Sequence, residues 1–245
     1  MAQYQTARPA TGVRTAQIDE GLRAHMNKVY GTMSVGLLVT AGVAWAVGSS
    51  DALLQIFRDP ITLQPNILGW VAMFLPLIMV FAFGAMINRL SAAGAQTFFY
   101  VFAAAMGLSI SWIFAAFTGI SIAQTFLITS ISFAGLSLWG YTTKRDISGW
   151  GSFLVMGLIG LIVAMIVNIF LQSPAIMFAV SIIGVLIFAG LTAYDTQKIK
   201  TDYIAHAHAM DEEWLAKSAI MGALNLYLDF INLFMFLLQF LGNRE

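Results

Sequence analysis

The stretch Leu90–Thr143, LSAAGAQTFFYVFAAAMGLSISWIFAAFTGISIAQTFLITSISFAGLSLWGYTT, runs for 54 residues without an acid or a base. A helix crosses the hydrocarbon core of a bilayer with about 20 apolar residues. The stretch is therefore too long for one span and right for two, with a tight turn at Thr118, Gly119, Ile120 and Ser121. Working outward, Val29–Ser50, Pro60–Asn88 and Ile147–Tyr194 are equally free of charge, and the last, 48 residues long, breaks at Gln172, Ser173 and Pro174. The pattern predicts seven helices, over residues 27–49, 67–88, 93–117, 121–141, 151–171, 174–197 and 214–241. The fold class is all-α, a polytopic membrane protein. Composition agrees: only 10% of the 245 residues are charged and the mean hydropathy is +0.81, whereas soluble domains carry roughly 25% charged residues.

Basic residues set the expected orientation, because cytoplasmic loops hold the excess of Lys and Arg. With seven spans one side receives ten, from Arg8, Arg14, Arg23 and Lys28 through Arg89, Lys144 and Arg145 to Lys198, Lys200 and Lys217; the other receives Arg58 and Arg244. The amino terminus is expected in the cytoplasm and the carboxyl terminus outside. Residues 1–22, rich in Ala, Thr, Gln and Arg, read as a disordered cytoplasmic tail ahead of the membrane domain 23–245. The apolar stretch after them is too long for a signal-peptide core. There is no cysteine, hence no disulfide or thiolate site, and no basic block suited to nucleic acid.

Two helices carry small-residue faces that let backbones approach within lipid: Ala103, Gly107, Ser111 and Ala115 in the third, and Gly157, Gly160, Ala164 and Asn168 in the fifth. The seventh is different. Ser218, Gly222, Asn225, Asp229, Asn232 and Gln239 recur at steps of four, three, four, three and seven, which puts them on one stripe. Such a stripe is turned into the bundle, so the seventh helix is expected to be central.

An ionised acid at membrane depth costs on the order of 2.5 to 3.5 kcal/mol on insertion scales, and intramembrane acids mark function. The chain has two, Asp229 in NLYLDFINLF (225–234) and Asp195 in LTAYDTQKIK (191–200), with Thr192 on the face of the latter. Paired on facing stripes, they would share a proton and titrate as one unit. The shared hydrogen bond would tie helix six to helix seven at lower pH. Deprotonation would release it and leave hard oxygen ligands for a passing calcium ion. One obstacle stands in the way: Asp195 lies 21 residues from the outer end of its helix and Asp229 12 from its own, an offset of about 13 Å for straight parallel helices. Tilt, a broken helix or a seventh helix set deeper is required to close it.

AYDTQKIK closing the sixth helix, LYLDFINLF in the seventh and GYTTKRDISGWGSFLVMGLIGLIVAMIVNIFL (140–171) across the fourth loop and fifth helix resemble the transmembrane Bax inhibitor motif family in its bacterial branch. The resemblance extends from Arg23 onward and implies a bacterial inner-membrane location. It implies six helices around a central seventh and a pH-dependent calcium leak controlled by paired aspartates, which fall on Asp195 and Asp229. It also implies an arginine from the second helix near that pair; Arg89 is the candidate by type, as a gating counter-ion. Ser218, Asn225, Asn232 and Thr192 are the expected polar lining, and calcium is the transported ion rather than a cofactor.

A second reading is a regulator of a membrane protease or another membrane complex, working through residues 1–22 and the loop from Thr201 to Trp214, with the aspartates structural. Enzymatic readings fare worse. A serine nucleophile needs a base, and His25, His206 and His208 are placed outside the spans. Lys217 stands at the mouth of the seventh helix, whose interior has no lysine to hold a retinal. His206 and His208 lack an evident third metal ligand. A proton-coupled transporter would favour internal repeats, and none is evident.

Overall fold

The computed structural model describes residues 11–243 except Leu63 and His208, with side chains from Asp19 onward. Among the described residues it is helical throughout: α1 (Thr11–Gly48), α2 (Asp51–Phe57), α3 (Ile67–Met86), α4 (Ala92–Ile110), α5 (Ile113–Ala116), α6 (Gly119–Thr142), α7 (Trp150–Leu171), α8 (Pro174–His206) and α9 (Glu212–Leu241). Seven segments are long and apolar enough to cross a membrane: α1 from Asp19, α3, α4 with α5, and α6 to α9 singly. The protein is an all-α integral membrane protein.

Local chemistry sets the starts of these helices. Asn66, Ser91, Thr118, Ser173 and Asp211 each accept a hydrogen bond from the backbone N–H three residues on, satisfying a donor that the first helical turn leaves open. The α7–α8 turn has only two residues between its helices. Gln172 takes a left-handed conformation at φ 47°, and the buried Asn168 side chain accepts from the Ser173 N–H at 2.9 Å, so Pro174 enters α8 where its missing N–H costs nothing.

Several expectations are corrected. Helix α1 begins at Thr11, so residues 11–22 are helix rather than disordered tail; Leu22 is in the core, while residues 1–10 lie outside the described residues. Helix α8 continues to His206, nine residues past its expected end, because Ile199 is buried and Tyr203 packs against the His25 ring with centroids 4.7 Å apart. His25 itself is a buried residue of the first crossing helix, 7% exposed, not a residue outside the spans. The third span is broken at Ser111 and Trp112, where three-residue bonds (Phe114 N–H to the Ser111 carbonyl, Ala115 N–H to the Trp112 carbonyl) replace α-helical ones.

Small residues do the close packing. The Ala103 carbonyl accepts from Thr40 Oγ1 at 2.8 Å, and a Cβ on Gly107 would sit 2.6 Å from the Thr40 carbonyl, so this face is the α1–α4 seam. On α7, Leu154, Leu161 and Asn168 are buried at seven-residue steps with Gly157 against Ile187, whereas Gly160 faces outward. Helix α9 occupies the centre. It is packed by α8, α1, α6 and α4, and 72% of its crossing window is buried against 17 to 39% for the other six.

Candidate functional site

The site is built where α8 and α9 run antiparallel through the middle of the bundle. Their register follows from three contacts. Ser181 of α8 and Gln239 of α9 are hydrogen-bonded at 3.3 Å. A Cβ on Gly184 would strike the Phe236 ring, and one on Gly222 would meet Ile199. The first of these contacts sets the end of α9 about five residues, roughly 7 Å, inside the start of α8. The seventh helix is thus placed deeper, which removes about half of the offset computed for helices with level ends. Side-chain direction removes the rest. Cβ vectors tilt toward a helix's own N-terminus, so in this antiparallel pair the Asp195 and Asp229 side chains lean toward each other. Their carboxyls come within interacting distance of each other.

Asp229 is 4% exposed, and its Oδ2 is a buried atom with no hydrogen-bond partner among the described residues. Asp195 is half-buried. A hydrogen bond within this pair would require a proton on one of the two acids. Without that proton the pair presents carboxylate oxygens in a place with little water. The cation whose field reaches Asp195 is Lys198, one turn along the same helix.

The other expected site residues are spread along the same seam. Ser218 and Asn225 are half-buried on the α9 stripe, and Asn232 donates from Nδ2 to the Leu228 carbonyl of its own helix at 2.8 Å. Thr192 is fully buried with its hydroxyl turned back onto the Phe188 carbonyl. Arg89 is exposed in the turn after α3; no ion pair joins it to either aspartate among the described residues. His208 lies outside the described residues, and no cluster of three or more His, Asp or Glu that would hold a metal is found among the rest.

Sequence reasoning missed a set of hydroxyls beside the pair. Tyr30 Oη and Ser137 Oγ are 2.6 Å apart, and Ser137 Oγ and Thr196 Oγ1 2.9 Å. Thr196 spends its one proton on the Thr192 carbonyl at 2.7 Å. Ser137 therefore donates to Thr196, and Tyr30 to Ser137. The chain joins α1, α6 and α8 next to Asp195. On the other side of α9, Thr40 donates to the Gly36 and Ala103 carbonyls, so Tyr227 donates to Thr40 across 2.6 Å. The available signal was hydroxyl residues inside otherwise apolar spans, which bond across helices when lipid offers no alternative.

Comparison with known proteins agrees with this architecture. The family model described as Inhibitor of apoptosis-promoting Bax1 matches residues 22–245. The chain is similar to inner membrane protein YbhL of Escherichia coli (strain K12), 47% identical over 225 residues, covering 92% of this chain and 94% of that protein. An uncharacterised protein of Rickettsia prowazekii is 45% identical across 96% of both chains, and the uncharacterised protein YrjE of Lactococcus lactis is 37% identical across 92% of this chain and 93% of its own. A match over nearly the whole described bundle, aspartate-bearing helices included, makes this chain a member of the Bax inhibitor family.

Proposed function

We propose that the protein is a pH-sensitive calcium leak, gated by the proton that Asp195 and Asp229 share. The observation that carries the reading is the placing of two acids together at the centre of the bundle, with Asp229 buried and its Oδ2 without a hydrogen-bond partner among the described residues. With the proton in place the bond fastens α8 to α9, the two helices most extensively packed on each other. When the proton leaves, two adjacent negative charges repel in a weakly screened interior. The helices part, and the freed oxygens attract a hard divalent cation. Two carboxylates fall well short of the six to eight oxygens of a resident calcium site, which suits an ion in passage. Arg89 is proposed as a counter-ion in the moving state. The ten basic residues on one side support a cytoplasmic amino terminus, and the name of the relative YbhL supports an inner-membrane location.

The test is calcium influx into liposomes holding only the purified protein, across pH 5 to 8. Flux should rise with pH. A protein equally silent, or equally leaky, at every pH would leave the regulator of a membrane complex as the better reading, with the aspartates as packing groups.

A further inference from the structure

Helices α1 and α6 both pack on α8 and α9, and they touch each other through the Tyr30–Ser137 hydrogen bond. Between them lies a cleft of about 800 Å³, within the range of small-molecule sites. Along α6 it runs from Tyr141 to Phe126, about 22 Å of helix, which exceeds the roughly 15 Å of hydrocarbon in one leaflet. Its chemistry is graded. Arg23 and Asn27 stand at the end where the basic residues gather, the Tyr30 and Ser137 hydroxyls follow, and the deep part is Leu37, Phe126 and Phe230. Arg23 is the single charged residue in the lining; it is exposed and has no ion pair among the described residues.

We infer that this cleft binds one anionic phospholipid, with its phosphate on Arg23 and Asn27 and an acyl chain laid between α1 and α6 onto Phe230. Three observations carry the assignment. The cleft lies within two crossing helices, so what surrounds it is lipid. Its deep walls are apolar, and apolar cavities do not hold water. The Arg23 guanidinium, without an ion pair among the described residues, sits at the end where a headgroup would lie, and arginine is suited to phosphate. A zwitterionic lipid would fill the apolar part equally well but would forgo the net charge that Arg23 favours. The bound chain would rest on the residue after Asp229 and beside the Tyr30–Ser137 hydrogen bond, although the site itself does not depend on the leak reading.

The experiment is native mass spectrometry of the full chain, released from detergent containing equal amounts of phosphatidylglycerol and phosphatidylcholine. The wild type should retain one phosphatidylglycerol, preferred by about fivefold, the effect of one basic side chain at a membrane surface. Arg23→Gln should bring the two lipids near parity. Leu38→Trp, in a lipid-facing wall residue 72% exposed and so without a packing role, should reduce retention of both. Arg145→Gln, a basic residue outside the cleft lining, should match the wild type. The inference is overturned if the wild type retains no lipid, if Arg145→Gln loses preference as fully as Arg23→Gln, or if a second copy of the chain is retained in place of lipid.

Discussion

Helices α7 and α9 invert the relation between apolarity and burial that holds in water. Helix α7 is the most apolar crossing helix and only 17% of its window is buried; α9 carries Asn225, Asp229, Asn232 and Gln239 and is 72% buried. The reason is the solvent. Lipid tails are as apolar as leucine, so an apolar side chain gains no transfer energy by facing inward, and association rests on close packing and polar contacts. Helix α7 exposes Phe153, Ile169 and Phe170 to lipid, whereas α9 turns its polar stripe onto α8 and fills the remaining directions with Leu226, Tyr227, Leu233 and Leu238. In this bundle a helix with a polar stripe is the core and the most apolar helix lies at the periphery.

The sharpest challenge to that contrast is truncation on each side. Leu226→Ala, at a fully buried site of α9, should destabilise the protein by about 2–5 kcal/mol through the cavity it leaves. Phe170→Ala, 83% exposed on α7, should stay within about 0.5 kcal/mol of wild type. Reversible unfolding in mixed micelles reads both. Equal losses would mean that apolarity, not position, governs stability here.

Close approach gives a somewhat smaller effect. A Cβ on Gly140 of α6 would lie 2.3 Å from the Ala193 carbonyl oxygen of α8, and backbone cannot swing aside. Gly140→Ala should cost about 1–3 kcal/mol by overpacking. Gly135→Ala on the same helix meets open space and should gain up to about 1 kcal/mol from helix propensity. A Gly140→Ala variant as stable as Gly135→Ala would show that the α6–α8 seam is looser than described.

Tyr227→Phe removes one donor from the α9 core and leaves Thr40 its two carbonyl acceptors, so about 0.5–1.5 kcal/mol should be lost. The faintest effect belongs to the turn before α7. The Ser148 hydroxyl, then its N–H, donate to Asp146 and hold this exposed carboxyl below the ordinary range. A carboxyl lowered on folding contributes stability above its unfolded value and loses it as pH falls through its folded one. Acid melting curves should therefore show a small extra step in the wild type that Asp146→Asn lacks.

Much of this was legible in the sequence. Charge-free runs mark six of the seven spans, and the four-three spacing from Ser218 to Asn232 marks the seventh as the central helix, because both signals are local. What was not legible depended on contacts between distant segments. The depth of α9 is fixed at its end, where the Asn243 carbonyl accepts from Thr118 N–H and the Asn243 N–H donates to Ser121 Oγ. The extension of α8 rests on Tyr203 reaching His25. The apparent separation of the aspartates came from treating helix ends as level and side chains as perpendicular; neither holds in an antiparallel pair whose Cβ vectors converge. Gly160 was placed on the packing face of α7 by its neighbours' spacing, yet the seven-residue step from Leu154 to Asn168 leaves it outside.

The central claim is that Asp195 and Asp229 act as one unit, and a double-mutant cycle on the pH dependence of calcium flux tests it most directly. Wild type, Asp195→Asn, Asp229→Asn and the double variant would be compared in the same liposomes. Residues sharing one proton are strongly non-additive, so each single variant should lose the pH dependence as completely as the double. Two independent partial losses that add in the double variant would contradict the account.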